Sequence, residues 1–233
     1  MSIKRILFID DNKIDSIIIK LRKSLQKEGF TLQEEILNLN DDDLKIRDAN
    51  NKIILDFDKI KNVIKEKYFN QPFDIVVSDY DYSDNNIDGF KLIKWFKNVS
   101  SSQKKRVRRA HFYLYSAKGD SIVEKLDDID KIKGLVRLKL SGILDRNSLA
   151  DELAIEIKKR EETFAFLNTV LKELDKYSDF EFESVYPKFK GKKLNEIANE
   201  IDQDLPNGIG FQQNLVELTI AHMINLNNIN IKE

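Results

Sequence analysis

The stretch that decides the fold is residues 73–89, FDIVVSDYDYSDNNIDG. Its apolar run follows Pro72 and gives way to a loop rich in Ser, Asp and Asn. A short apolar run with such boundaries predicts a buried parallel strand. Asp79 then lies where the strand ends, and functional side chains of open α/β sheets collect at the carboxyl ends of strands. Asp79 is therefore a candidate nucleophile or metal ligand.

A second apolar run makes the first one more specific. Residues 4–12, KRILFIDDN, predict another strand, which ends in the carboxylates Asp10 and Asp11. If the two strands are parallel neighbours, three carboxylates meet at one edge of the sheet, where they repel each other unless a cation joins them. Mg²⁺ is the cation that prefers such oxygen ligands. One of the carboxylates could then be phosphorylated while the metal neutralises the phosphoryl charge.

In these residues the chain resembles the receiver domains of response regulators, the phosphoacceptors of two-component signalling. The family pattern has an acidic pair after the first strand, matched by Asp10 and Asp11, and an acceptor after the third, matched by Asp79. A hydroxyl after the fourth strand is matched by Ser116 in HFYLYSA, and the dipeptide that closes the loop is matched by Asp88-Gly89. The resemblance covers about the first two-thirds of the chain by this motif reading.

The resemblance implies a role for each matched residue. Asp79 would be the phosphoacceptor, and the main-chain carbonyl of Asp81 would join the carboxylates as a ligand of Mg²⁺. Ser116 would hydrogen-bond a phosphoryl oxygen and move when the acceptor is phosphorylated. The partner would be a histidine kinase or a phosphotransfer protein. We therefore expect a cytoplasmic signalling phosphoprotein and not an enzyme.

The chain departs from the family pattern at three points. The lysine after the fifth strand is replaced by Arg146 in GILDRNS, and arginine is not equivalent to lysine because it is bulkier and grips in a planar fork. The loop after Asp79 is two residues longer than usual and lacks the customary proline. The family's aromatic switch residue falls at Ile143. These departures bear on the switch more than on the metal pocket.

Two alternatives follow from the same residues. The first is a degenerate receiver that no longer switches and acts as a protein-interaction module. The second is a phosphatase of the haloacid-dehalogenase type, which uses D-x-D after a strand and then a Ser or Thr strand, as in Asp79, Asp81 and Ser116. That family needs a further acidic pair downstream of the Ser, whereas Asp10 and Asp11 lie upstream, which favours the receiver.

Composition excludes several classes of site. The 233 residues are 41% hydrophobic and 34% charged, with a formal net charge of −1. The absence of cysteine excludes disulfides, thiolate catalysis and cysteine-based metal sites. No apolar run is long enough to span a membrane, and we expect no membrane partner. The N-terminus enters a strand at once, which is not typical of a signal peptide.

The alternation of strands and helices predicts an α/β fold, a doubly wound five-stranded parallel sheet of the flavodoxin type, followed by an all-α region. We expect a receiver-like domain over residues 1–158. Its segment near 40–56 is either an inserted β-hairpin or an elongated second strand. A weak helix is expected over 122–132, and the fifth strand within 135–144.

The C-terminal part is expected to be helical. Apolar residues at heptad spacing over 150–174 predict a helix that continues through 159–177, either as a homodimer contact or packed on its own C-terminal helices. Residues 178–233 would form a small helical domain that serves for interaction or dimerisation, with His222 in its core. This tail has 5 Lys and Arg against 9 Asp and Glu, which makes nucleic acid an unlikely partner because phosphate contact needs positive charge. The basic residues 104–109 are interpreted as a solvated loop, with a docking patch as the alternative.

Overall fold

The computed structural model describes residues 2–84, 87–117, 129–161, 166–183 and 186–229. The chain divides into two compact units, Met1–Glu162 and Thr163–Glu233. Within the described residues, no helix combines the length and the apolar composition that crossing a membrane requires.

The first unit is built on a parallel sheet. Its strands are β1 (Ser2–Asp10), β2 (Phe30–Asn38), β3 (Lys45–Arg47), β4 (Ile53–Leu55), β5 (Ile75–Asp79), β6 (His111–Ser116) and β7 (Gly142–Asp145). The main sheet has the order β2-β1-β5-β6-β7, and all its neighbouring strands are parallel. The predicted five-stranded, flavodoxin-like fold is therefore confirmed. The order places β1 and β5, the two strands that end in carboxylates, side by side.

Helices cover both faces of this sheet. They are α1 (Asp15–Lys27), α2 (Phe57–Val63), which continues as a π-helical turn (Ile64–Tyr68), α3 (Gly89–Ser102), α4 (Ile129–Leu138) and α5 (Leu149–Glu161). Ile6 and Phe8 of β1 pack in one core cluster with residues of α1 and α5. Leu7 and Ile9 pack in the other, with residues of α2 and α3. Because successive side chains of a strand point to opposite faces, a strand buried on both sides is apolar without interruption.

The fifth strand of the sheet, which the sequence predicts within 135–144, is β7 and ends one residue beyond that range. The beginning of that range is the end of α4. Leu135 and Leu138, three residues apart, both pack on the core that includes α3, which is the spacing of a helix face. Most of the helix expected over 122–132 lies outside the described residues, and the described helix begins at Ile129.

Of the two interpretations of residues 40–56, the structure has the hairpin. β3 and β4 pair antiparallel, and Asp48 orders their turn by accepting from the main-chain N–H groups of Asn50 (2.9 Å) and Lys52 (2.8 Å). The hairpin also reaches the loop after β5, because the N–H of Leu55 donates to the carboxylate of Asp84 at 2.6 Å. The insertion and the elongated loop, two unusual features of the sequence, are thus joined to each other.

The described residues of the second unit form three α-helices and a short aromatic segment. They are α6 (Phe166–Lys176), α7 (Leu194–Asp202) and α8 (Pro206–Ile229). Their core is formed by Phe189, Ile197, Ile201 and Phe211. His222 is exposed, so its interpretation as a core residue is wrong. The residues between α5 and α6 lie outside those described, so a helix continuing through 159–177 stays a prediction.

A polar network fastens α5 to the start of β6. Nη1 of Arg160 lies 2.9 Å from Nδ1 of His111, and Nη2 of Arg160 donates to the hydroxyl of Tyr113 at 2.7 Å. That hydroxyl in turn donates to Glu156 at 2.8 Å. Burial, followed by the positive charges of Arg160 and Lys97, lowers the pKa of His111 to about 4, with Glu156 opposing the shift. His111 is therefore neutral in the folded protein at neutral pH.

This depressed pKa predicts a pH dependence of stability. In the unfolded chain His111 has its ordinary pKa of about 6.5, so between that value and about 4 the unfolded state binds more protons. The free energy of unfolding therefore falls as the pH is lowered through this window. His111 is partly screened by solvent, which reduces the effect. Between neutral pH and pH about 4, the free energy of unfolding of the wild type should fall by about 1–2 kcal/mol more than that of His111→Gln. Urea unfolding at a series of pH values measures this difference, and equal losses would contradict it.

Candidate functional site

The candidate site lies at the carboxyl edge of the sheet, where β1 and β5 end. Asp10 and Asp79 are buried and Asp11 is partly exposed. Carboxylate oxygens of the three residues all lie within 4.8 Å of one another. The structure thus brings together the three carboxylates that the sequence predicts to form a cation site. Three hard oxygen donors at this separation fit Mg²⁺, which usually keeps several of its waters.

Arg146 follows β7 and reaches into this cluster. Its Nη1 lies 2.5 Å from Oδ2 of Asp79, and its Nη2 lies 3.0 Å from Oδ2 of Asp10. One guanidinium therefore bridges two buried carboxylates, which its planar fork can do and a lysine ammonium, acting as a point charge, does less well. Burial lowers the pKa of Arg146, but Asp10, Tyr115 and Asp79 outweigh this effect and raise it above its ordinary value.

Tyr115 is a site residue that sequence reasoning missed. Its hydroxyl donates a hydrogen bond to Oδ2 of Asp10, the oxygen that Arg146 also contacts. Its ring centroid lies 5.5 Å from the guanidinium carbon of Arg146. Burial and the charge of Asp10 raise the pKa of Tyr115, so the phenol remains a donor. The signal that could have found it is register, because Tyr115 pairs directly with Asp79 across β5 and β6.

Ser116 lies one position further along β6 and is buried. Its main-chain carbonyl accepts a hydrogen bond of 2.9 Å from the N–H of Arg146, which ties the two predicted site residues together. Asp81 lies in the loop after β5, and its N–H donates to Oδ1 of Asp79 at 3.2 Å. Metal coordination by the carbonyl of Asp81 and phosphoryl contact by Ser116 stay predictions.

The elongated loop after β5 is fastened at several points. The N–H of Ser83 donates to Oδ2 of Asp11 at 2.7 Å. The hydroxyls of Ser78 and Tyr82 lie 2.5 Å apart in the buried interior of the loop. At its far end Asp88 caps α3 by accepting from the N–H of Lys91 at 2.7 Å. The loop therefore contacts Asp11 of the acidic pair, whereas Arg146 contacts Asp10.

The protonation of Asp79 reflects this crowding. Burial is the largest influence and the charge of Asp10 the next, and together they raise the pKa of Asp79 to about 7. The N–H of Asp81 and the guanidinium of Arg146 act in the opposite direction without cancelling them. A divalent cation among the three carboxylates would favour the ionised form of Asp79.

Comparison with known proteins gives similar structures but no similar sequences. No family model matches the sequence, and no curated protein matches it either. A response regulator from Thermotoga maritima is 14% identical over 70% of this chain and 100% of its own, with a TM-score of 0.38. The receiver domain of the response regulator NarL from Mycobacterium tuberculosis gives the same identity, coverage and TM-score. The response regulator RcsB from Salmonella typhimurium is 12% identical over 96% of this chain and 93% of its own, with a TM-score of 0.39.

These solved structures are response regulators or their receiver domains, the family that the sequence resembles. Identities this low and TM-scores below 0.5 give no information about activity or partners. The assignment of the fold therefore depends on the strand order and on the parallel pairing of the five strands.

Proposed function

We propose that this chain is a two-component response regulator, in which Asp79 accepts a phosphoryl group. Mg²⁺ would be held by Asp10, Asp11 and Asp79 together with the main-chain carbonyl of Asp81. The observation that carries the proposal is the convergence of three carboxylate oxygens within 4.8 Å at the end of β1 and β5. A carboxylate that is both a metal ligand and a nucleophile needs this geometry.

The transfer requires a donor with a reactive phosphoryl group, such as the phosphohistidine of a kinase or phosphotransfer protein. A carboxylate oxygen of Asp79 forms a bond to phosphorus while the phosphorus–nitrogen bond breaks, and the electron pair stays with the imidazole. The product on this chain is an acyl phosphate. Mg²⁺ supplies charge neutralisation to the phosphoryl oxygens. Arg146, which contacts Asp79 at 2.5 Å, and the hydroxyl of Ser116 would bind the phosphoryl group afterwards.

The signal would leave the receiver through its last helix and reach a C-terminal helical region that binds a partner. α5 is fastened to the sheet by the network of His111, Tyr113 and Arg160. This network gives the helix a contact with the strand that ends in Ser116. A change at the carboxyl end of β6 could therefore alter the packing of α5.

The proposal predicts a metal-dependent phosphoryl adduct. Incubation of the whole chain with Mg²⁺ and acetyl phosphate should add one phosphoryl group, seen by intact-mass spectrometry. Asp79→Asn should abolish the adduct because the nucleophile is lost. Asp81→Asn is the matched control and should keep it, because the proposal assigns a role only to the main chain of Asp81. If the Asp79→Asn variant carries as much adduct as the wild type, the acceptor is elsewhere and the proposal is wrong.

A second candidate function is favoured by the contacts of Arg146. Since this residue bridges Asp10 and Asp79, the chain could be a receiver that keeps its fold and no longer switches. Wild-type protein that binds Mg²⁺ but forms no adduct with acetyl phosphate or with a phosphohistidine donor would support this second function. Turnover of phosphate esters that is lost in Asp81→Asn would instead support the phosphatase alternative.

A further inference from the structure

The helix α8 is packed only at its beginning. Gly208 and Phe211 are buried, and Leu215 packs against the core of the second unit. From Val216 to Leu226 every residue is exposed, over about three turns of helix. Among the residues that the structure describes, none from 216 to 226 belongs to a hydrophobic core cluster.

The exposed segment is apolar all round. Six large apolar side chains of this segment are between 42% and 58% exposed; they are Val216, Leu218, Ile220, Met223, Ile224 and Leu226. Over Pro206–Ile229 the only residue with a formal charge at neutral pH is Glu217. A helix that is apolar on all sides is ordinarily buried. The composition of this segment is therefore that of an interface and not of a solvated helix.

The spacing of these side chains suits another helix. Val216, Ile220 and Met223 follow one another at intervals of four and three residues, which is the seam that packs knobs into holes. Glu217 lies about 100° from Val216 and about 60° from Ile220 around the helix, so it flanks the seam and is not part of it. Two copies of the seam can thus meet without bringing their carboxylates together.

Charge and the spacing of the seam favour a second copy over another kind of partner. The segment has no Lys or Arg and only one carboxylate, so a strongly charged partner finds nothing to complement it. The exposed side chains present on the order of 500 Å² of apolar surface, about the largest patch that a monomer ordinarily carries. Two copies that meet along the seam would bury Val216, Ile220 and Met223 of each copy against apolar side chains of the other.

We propose that residues 216–226 of α8 form a homodimer interface with the same segment of a second copy. The proposal names a second copy of the chain as the partner of the C-terminal region. Its role in signalling rests on the proposed function, but the interface itself does not. The interface needs neither Mg²⁺ nor phosphorylation. Its failure is therefore distinguishable from failure of Asp79 to accept a phosphoryl group.

Sedimentation equilibrium of the full chain at micromolar concentration tests the proposal. The wild type should be a dimer, and the double variant Ile220→Glu with Met223→Glu should dissociate about 100-fold more readily or more, because it buries charge in an apolar seam. Both positions are more than half exposed within one chain, so the far-ultraviolet circular dichroism of the variant should remain that of a folded protein. A monomeric wild type, or a double variant that stays dimeric, would overturn the proposal.

Ile155→Glu is the matched control, because Ile155 is 63% exposed and lies on α5. It is within residues 150–174, the range in which the sequence predicts a dimer contact. The control should leave the dimer intact. If it dissociates the dimer and the double variant does not, the interface is on α5 and the proposal is wrong. Since the chain has no cysteine, a single Met223→Cys change permits an independent measurement. A short bismaleimide should link two copies of Met223→Cys and should not link two copies of Ile155→Cys.

Discussion

Replacing Gly89 by alanine should lower the free energy of unfolding of the first unit by at least about 3 kcal/mol. A Cβ at this position would lie 1.8 Å from the carbonyl oxygen of Asp79 and 2.8 Å from its carbonyl carbon. Both are main-chain atoms of the last residue of β5, so no rotation of a side chain relieves the overlap. The start of α3 or the end of β5 must move, and either movement displaces the candidate phosphoacceptor. Urea unfolding of the wild type and the variant measures the loss.

The control for this prediction is Gly29→Ala. Gly29 has a φ of +83°, and a Cβ there would have no atom within 4 Å. Only the strain of the left-handed conformation remains, about 1 kcal/mol. If the two variants lose the same free energy, close packing of α3 on β5 is not what requires glycine at position 89. The Gly89→Ala variant should also form less phosphoryl adduct, because its acceptor is displaced.

The dipeptide Asp88-Gly89 shows how much of the site the sequence could predict. Its match to a family motif predicts where the loop after β5 ends. The structure supplies the physical reason, since the N–H of Gly89 donates to the carbonyl of Tyr80 at 2.9 Å while Asp88 caps α3. A helix cap and a close main-chain contact depend on residues near each other in sequence, so a short motif can predict them.

The fold was predictable because its strands are buried on both faces. The runs that contain Ile6 and Val76 are apolar without interruption, and each is followed by carboxylates. This pattern is typical of parallel strands with helices on both sides. The end of α4 was not predictable in the same way, because Leu135 and Leu138 suit a strand by composition and a helix only by spacing.

The contacts inside the site depend on register between distant strands, which the sequence does not encode locally. Tyr115 reaches Asp10 because β6 pairs with β5 so that Tyr115 is opposite Asp79. A shift of one residue would turn this side chain to the other face of the sheet. The bridge from Arg146 to both carboxylates depends in the same way on the pairing of β6 with β7. These contacts had to be observed.

The exposed end of α8 was predicted only in general terms, as part of an interaction or dimerisation region. Apolar composition predicts burial but does not say whether the burial is within one chain or between two. His222 was interpreted as a core residue on that ground, and it is exposed. The sequence therefore predicted the role of the C-terminal helices without locating it on residues 216–226, and only the core position of His222 is wrong.

Replacing Arg146 by glutamine should lower the free energy of unfolding by about 2–4 kcal/mol in the absence of divalent cations, because it removes one partner of a buried charge pair. The two carboxylates that it bridges are almost fully buried. Without the guanidinium they face each other and Asp11 with no positive charge at contact distance among the ion pairs of the described residues. Uptake of a proton by Asp79, whose pKa is already raised to about 7, limits the loss to this range. Urea unfolding in the presence of a chelator measures it.

Mg²⁺ should restore most of that loss. A ligand that binds only the folded state stabilises it by about 2.7 kcal/mol at 100 times its dissociation constant. The gain should be larger in Arg146→Gln than in the wild type, where the guanidinium already places a positive charge in contact with two of the three carboxylates. Lys20→Gln is the control, because its ion pair with Asp151 is more than half exposed on both sides. It should cost less than about 1 kcal/mol and respond to Mg²⁺ as the wild type does.

Arg146→Lys separates the charge of this residue from its shape. An ammonium is a single point of charge and can meet one carboxylate well, whereas the guanidinium meets Asp79 and Asp10 through two different nitrogens. The variant should therefore regain only part of the stability lost in Arg146→Gln, and its response to Mg²⁺ should lie between those of the wild type and the glutamine variant. If lysine restores the full stability of the wild type, the fork is not what holds the cluster, and a single charge near Asp79 is enough. If neither variant responds to Mg²⁺, the three carboxylates do not form a cation site, and Arg146 is the permanent counterion of the buried pair.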